Sequence, residues 1–159
     1  ESFNIDLSGD IVLNAEPDQV EVPRGDFAVL PGYPATFPAR LYPVENQMAD
    51  KLCALYTRYG SGPSTRYRDL YDLAMIVDQL PFDRATFTAA VGVQQRVRRM
   101  TVPASLGEPA PGWAAAYDKQ LRRTPGARPP FTSYDAAMAV VRDALTSALP
   151  GGDDAASLG

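Results

Sequence analysis

The stretch PVENQMADKLCALYTRYG, residues 43–60, is where the chain changes from a strand-like to a helical pattern. Its apolar residues recur three or four positions apart and form one stripe: Val44, Met48, Leu52, Leu55 and Tyr59. Pro43 suits the first turn of a helix, and Gly60 suits the residue just past its end. The spacing therefore predicts a helix over 43–60. On such a helix Lys51 and Arg58 project about 20° apart, at the margin of the stripe.

A second helix is predicted from about Thr65 to Leu80, where Pro81 stops it. Its inward-facing side chains are again three or four positions apart: Leu70, Leu73, Ala74 and Val77. Asp69 and Asp72 border this stripe. Because an unpaired charge beside a core is costly, these acids and the cations of the first helix either satisfy each other or together hold a charged ligand.

Three more helices are predicted downstream. The third runs from about Asp83, its capping residue, to Arg99. We expect it to bury Phe87, Ala90, Val91 and Val97. After a linker at 101–112, a fourth helix carries three large side chains on one side: Trp113, Tyr117 and Leu121. A fifth helix begins near TSYD, residues 132–135.

The first part of the chain is strand-like. In SFNIDLS, residues 2–8, every second residue is apolar, which places Asp6 on the outward face of a strand. QVEV, residues 19–22, is a second strand candidate. The four prolines of residues 31–43 predict an edge strand or an extended connector there.

These patterns predict an α+β fold. We expect a partial sheet in residues 1–42, a bundle of about five helices in residues 43–150 and a flexible tail at 151–159. A sheet with one alternating face needs a cover, which helices or further strands must provide.

The composition limits the possible chemistry and location. The 159 residues include no histidine, so catalysis would rest on carboxylates, lysine, arginine, tyrosine or hydroxyl groups. The single cysteine, Cys53, excludes an internal disulfide and fits a reducing cytosol, so we expect a cytoplasmic protein. This cysteine is predicted to lie on the side of its helix away from the apolar stripe. No apolar run approaches the roughly 20 residues of a membrane span, and no membrane association is expected.

Three stretches of the chain are locally basic although the net charge is −4. They are RYR at 66–68, QQRVRRM at 94–100 and KQLRR at 119–123. For each stretch taken alone, a solvated helix face is the favoured interpretation.

Two interpretations of the charged residues remain open at this point. In the functional one, Lys51 and Arg58 hold phosphates while Asp69 or Asp72 binds a divalent cation or orients the lysine. In the structural one, the same charges are ion pairs that join two antiparallel helices. Asp6 is similarly either a metal ligand whose direction the strand fixes or a plain solvent-facing residue.

Residues 42–77 resemble the nucleotidyltransferase toxins of the AbiEii/AbiGii type, especially their MenT-like branch. That family has a Lys-x-x-Ala-x-x-x-Arg helix followed by an Arg-Asp-x-x-Asp helix. The first motif is filled by Lys51, Ala54 and Arg58, and the second by Arg68, Asp69 and Asp72. The likeness extends to the strand FNIDLSGD, to the Trp113 helix and to the helix SYDAAMAVVRDAL.

The resemblance implies a polymerase-beta-like nucleotidyltransferase sheet joined to a helical domain. It also implies transfer of a nucleotide from a nucleoside triphosphate with Mg²⁺, in some members to the 3′ end of tRNA. Such proteins are toxins that a cognate antitoxin restrains. By position, Lys51 would contact the triphosphate, one of Asp69 and Asp72 would be the essential acid, and Asp6 would be the late carboxylate of the sheet.

One departure from the family affects the expected activity. The family's first motif, a Gly-Ser turn followed by an Asp-x-Asp pair, is absent from residues 1–42. We therefore expect either the C-terminal portion of a longer protein or a member with a shortened sheet. The chain would be an enzyme where the full-length protein supplies that motif. The alternative is a non-catalytic helical module that binds an antitoxin or RNA.

Overall fold

The computed structural model describes residues 13, 15–24, 34–60 and 62–149. Within these residues two strands precede five helices: β1 (Asp18–Pro23), β2 (Thr36–Leu41), α1 (Val44–Tyr56), α2 (Tyr67–Gln79), α3 (Arg84–Arg98), α4 (Trp113–Leu121) and α5 (Tyr134–Leu145). A short 3₁₀ turn, Thr146–Ala148, follows α5. The expected α+β class, a small sheet followed by a helical bundle, is confirmed. The strand candidate at 2–8 with Asp6 and the tail at 151–159 lie outside the described residues.

The two strands are antiparallel, and their register separates apolar from polar side chains. Val20 lies opposite Ala39, and Val22 lies opposite Phe37, so these four side chains share one face of the sheet. None of the described strand residues is buried, and none belongs to the hydrophobic core. Among the described residues, this apolar face therefore lacks a helical cover.

Helix α1 ends earlier than its apolar stripe predicts. It stops at Tyr56 because Thr57 adopts an extended backbone, with ψ at 135°, and donates its hydroxyl to the carbonyl of Cys53 at 2.8 Å. Cys53 itself is fully buried, which corrects the expectation that it faces away from the apolar side. The reason is that α1 packs against both α2 and α3, so it is covered on two sides.

The core lies in the bundle of helices. α1 contacts α2 and α3, and α5 contacts α2 and α4. The core helix positions expected from the spacing are largely confirmed, and α3 begins as predicted with Asp83 accepting a bond from the Thr86 amide. Val97 and Tyr59 are exceptions, since they are 57% and 46% exposed, respectively. At the last turn of α3 it is Arg98 that reaches α1, through Asp50.

The segment at 101–112 contains no helix or strand, as expected of a linker, but it is part of the core. Val102 and Leu106 are buried. Tyr56 donates its hydroxyl to the Gly107 carbonyl at 2.8 Å, and Arg142 donates to the Leu106 carbonyl. These bonds tie the segment to α1 and α5.

Candidate functional site

The ammonium of Lys51 lies between two carboxylates where α1 meets α2. Its Nζ is 2.8 Å from Oδ2 of Asp72 and 3.3 Å from Oδ1 of Asp69. The two acids occupy the first half of α2, three residues apart, and therefore project from adjacent faces of that helix. The structure thus brings together the three residues that the sequence analysis assigned to catalysis.

A second cation, Arg66, completes the cluster. Its Nε donates to Oδ2 of Asp69 at 2.6 Å, so Asp69 is shared between two cations from different parts of the chain. This hydrogen bond, together with the charge of Asp69, raises the pKa of Arg66 above its usual value. The spacing of three residues between Arg66 and Asp69 is the signal in the sequence for this pair.

Arg58 does not occupy the position that the sequence predicted. Because α1 ends at Tyr56, Arg58 lies two residues past the helix, and the separation of about 20° from Lys51 no longer applies. Its side chain is exposed. The arginine that the structure shows paired with Asp69 is Arg66.

A hydrogen-bond network holds the other side of α1. Arg98 of α3 binds Asp50, the residue before Lys51, and donates to Gln94 Oε1 and to the Tyr59 hydroxyl, both at 3.2 Å. The network fixes α1 against α3. Lys51 therefore projects from a helix that is held on both sides.

Cys53 is fully buried, so its thiol is not available as a nucleophile. Burial raises the pKa of its thiol to about 12, so the reactive thiolate is scarce at neutral pH. Its role is that of a small buried apolar residue.

The cluster is electrically neutral and partly exposed to solvent. Two cations face two carboxylates, so the formal charge of the four residues cancels. The side chains of Lys51 and Asp69 are 17% and 13% exposed, whereas Asp72 is 36% exposed. An incoming anion would meet the ammonium on the Asp72 side, where solvent already reaches.

The potential metal ligands among the described residues are few in any one place. They contain no group of three or more potential ligands among His, Cys, Asp and Glu. Both Asp69 and Asp72 hold the Lys51 ammonium. Asp6, the metal ligand expected from the resemblance, lies outside the described residues.

Comparison with known proteins identifies one family. A family model described as "Nucleotidyl transferase AbiEii toxin, Type IV TA system" matches residues 2–140, which include both strands and most of the helical bundle. Searches of curated proteins and of solved structures find no match. None of the described helices is long and apolar enough to span a membrane.

Proposed function

Because the chain belongs to the AbiEii family of nucleotidyl transferase toxins of type IV toxin–antitoxin systems, we propose that it moves a nucleotide from a nucleoside triphosphate to an RNA acceptor. Transfer RNA is the first acceptor to test. The observation that carries the proposal is the position of Lys51, whose ammonium lies between Asp69 and Asp72 at the junction of two fixed helices.

In this proposal Lys51 binds the triphosphate by exchanging one carboxylate for a phosphate oxygen. Asp72, the more exposed acid, is the partner that gives way. Asp69 stays in place because Arg66 holds its second oxygen, and it keeps the ammonium oriented. Phosphoryl chemistry depends mainly on positioning and charge stabilisation, which are the contributions of these residues.

Arg58 remains a proposed second contact to the phosphates. The family motif supplies this assignment, and the guanidinium lies on the exposed segment between α1 and α2. Arg66 is an additional candidate, since its side chain is half exposed and already directed at Asp69.

We further propose that the reaction requires Mg²⁺, with Asp6 as one ligand. When bound, the cation would neutralise charge on the triphosphate. Asp69 and Asp72 are engaged by the Lys51 ammonium, so we assign these two acids to the ammonium and not to the metal. The remaining ligands would be those of the family's first motif, which residues 1–42 do not contain.

The biological setting follows from the family. A type IV toxin implies a cognate antitoxin, which we propose as the protein partner. We propose that the protein acts in the cytoplasm, which contains nucleoside triphosphates and RNA. A chain with a single cysteine and therefore no internal disulfide is compatible with that reducing compartment. We assign residues 1–42 to the nucleotidyltransferase sheet and residues 43–150 to the helical domain.

A non-catalytic module that binds an antitoxin or RNA is the second candidate. The observation that favours it is that the Lys51 ammonium already has two carboxylate partners, as in a structural ion pair. In that case Lys51→Ala would leave two acids facing each other, at a cost of about 1–3 kcal/mol after allowance for solvent exposure.

Growth arrest on expression of the full-length protein tests the first candidate. We expect Lys51→Ala to abolish arrest, together with at least one of Asp69→Ala and Asp72→Ala. Arg96→Ala, which removes an exposed charge on α3, serves as the control and should remain toxic. Full toxicity of a folded Lys51→Ala variant would reject the assignment.

Calorimetric titration separates the two candidates. The enzyme should bind a nucleoside triphosphate in the presence of Mg²⁺, and Lys51→Ala should lose that binding. A module whose charges are only structural should bind no triphosphate, while its Lys51→Ala variant should still show the loss of stability.

A further inference from the structure

A groove separates the start of α2 from the end of α4, next to the Lys51 cluster. Its volume is about 360 Å³, within the range of small-ligand sites. Its walls are formed by Thr65, Tyr67, Arg68, Gln120, Leu121 and Thr124. The fold therefore brings together two of the basic stretches, 66–68 and 119–123, that are far apart in the sequence.

Arg68 lines the groove, and Arg122 and Arg123 stand in the sequence between two lining residues, Leu121 and Thr124. All three arginines are exposed, and their positive charge is not neutralised by an ion pair within the described residues. This concentration of guanidinium groups contrasts with the net charge of −4 of the whole chain.

Three acids of the two helices that form the groove have partners of their own. Asp69 and Asp72 hold Lys51, and Asp118 of α4 accepts from the Tyr134 amide at 2.7 Å. The exposed arginines therefore remain available to an anionic partner.

An aromatic ring and several polar groups line the inside. Tyr67 is half-buried, and its ring packs on Trp113 with centroids 4.7 Å apart. Trp113 is itself held by a hydrogen bond to the Ser64 carbonyl at 2.7 Å, so the Tyr67 ring has a rigid support. Thr65 and Gln120 add a hydroxyl and an amide. Guanidinium, hydroxyl and aromatic groups together suit the phosphates and bases of a single-stranded nucleic acid.

The groove also lies in the right place for an acceptor. Arg68 precedes Asp69 in the chain, and Asp72 follows Arg68 by four residues on the same side of α2. A strand held at Arg68 would therefore run past the acids that bind Lys51.

We propose that this groove binds the acceptor RNA as a single strand, with phosphodiesters on Arg68 and on Arg122 or Arg123 and a base against Tyr67. This rests on the proposed function, in which the acceptor is RNA. An acidic protein would use the arginines but would have no use for a rigid aromatic ring beside them. The groove thus accounts for two basic stretches that the Lys51 cluster does not involve.

Equilibrium binding of a short fluorescein-labelled single-stranded RNA to the full chain, without nucleotide or metal, tests the proposal. We expect Arg68→Gln and Arg122→Gln each to weaken binding several-fold. Each should also lower the slope of log affinity against log salt by about 0.7, the effect of one lost phosphate contact on a single strand. Arg96→Gln is the matched control and should change neither quantity, because α3 packs on α1 and not on α4.

Several results would overturn the proposal. These are unchanged RNA affinity in both groove variants, an equal loss in Arg96→Gln, or no RNA binding by the parent protein. Competition by a nucleoside triphosphate at the groove would assign it to the donor, and competition by polyglutamate would assign it to a protein partner.

Lys51→Ala distinguishes a failure of the groove from a failure of the proposed function. This variant should lose nucleotide transfer, and the groove substitutions made in its background should still weaken RNA binding. If the groove variants weaken RNA binding but no protein transfers a nucleotide, the groove assignment holds and the proposed function fails. If transfer occurs while the groove variants bind RNA normally, the reverse is true.

Discussion

At the scale of single residues, Asp69 connects more of the site than its spacing alone suggests. One of its oxygens faces Lys51 of α1, and the other accepts from Arg66, which precedes α2. Removing Asp69 would remove one contact from each of two cations, Lys51 and Arg66, whereas removing Asp72 would remove one contact from Lys51 alone. We therefore expect Asp69 to orient the Lys51 ammonium and Asp72 to release that ammonium when a phosphate binds.

Cys53 gives a pH prediction at the same scale. Burial raises the pKa of its thiol from 9.0 to about 12, so between these pH values the unfolded chain loses a proton that the folded chain keeps. The unfolded state is then favoured as pH rises, by about 1.4 kcal/mol per pH unit for one group. We expect stability, measured by urea unfolding, to be unaffected by this thiol below pH 9 and to fall between pH 9 and 12.

Cys53→Ala is the control, since it removes the titrating group. Its stability should fall less steeply over the same pH range. Some slope will remain, because burial also raises the pKa values of Tyr56 and Tyr117. Identical slopes in the two proteins, or fast reaction of the native thiol with a thiol reagent at neutral pH, would contradict the burial of Cys53.

At the scale of the elements, the ends of the helices decide which side chains meet. Thr57 stops α1 and so removes Arg58 from the helix, and Asp83 starts α3. Asp83 accepts from the amide and the hydroxyl of Thr86, both at 2.7 Å, and the side-chain bond to Thr86 is the main cause of its lowered pKa. Its own amide donates to Glu45 at 2.9 Å, which ties this start to α1.

We expect Asp83→Ala to lower the melting temperature, measured by circular dichroism, because the amides at the start of α3 lose their acceptor. Asp83→Asn keeps an acceptor and should retain most of the stability. Because the pKa of Asp83 is lowered in the folded protein, its ionised carboxylate stabilises the fold. This stabilisation is fully present above the ordinary pKa of 3.8 and is lost as the pH falls through the lowered pKa.

Asp78→Ala, which removes an exposed acid near the end of α2, serves as the control for charge. It should leave the melting temperature nearly unchanged. A similar decrease in the Asp78 and Asp83 variants would show that net charge, and not the cap, is responsible.

At the scale of the whole molecule, the described sheet and the helical bundle are distinct parts. The core is made of residues from α1 through the turn after α5, and the apolar face of the sheet remains outside it. The packing of the helices that carry Lys51 therefore does not depend on the described strands.

Two substitutions test this organisation. Phe37→Ser, on a side chain that is 43% exposed, should change the denaturant unfolding of the helices by less than about 0.5 kcal/mol. Leu73→Ala, at a fully buried position of α2, should cost about 2–5 kcal/mol because it leaves a cavity. Comparable losses in both variants would indicate that the sheet is packed into the bundle.

The sequence by itself determined the helices, the cap of α3 and most of the core. These features depend on contacts between residues within about four positions of each other, which periodicity and capping rules describe. The meeting of Lys51 with Asp69 and Asp72 was also foreseen, because all three border apolar stripes that must pack together.

Only the tertiary structure decided the rest. It ended α1 before Arg58, covered Cys53 on two sides and joined the stretches 66–68 and 119–123 across one groove. Each of these depends on where a helix stops and on which elements surround it. Such long-range packing is set by the whole core, so no local spacing in the sequence could reveal it.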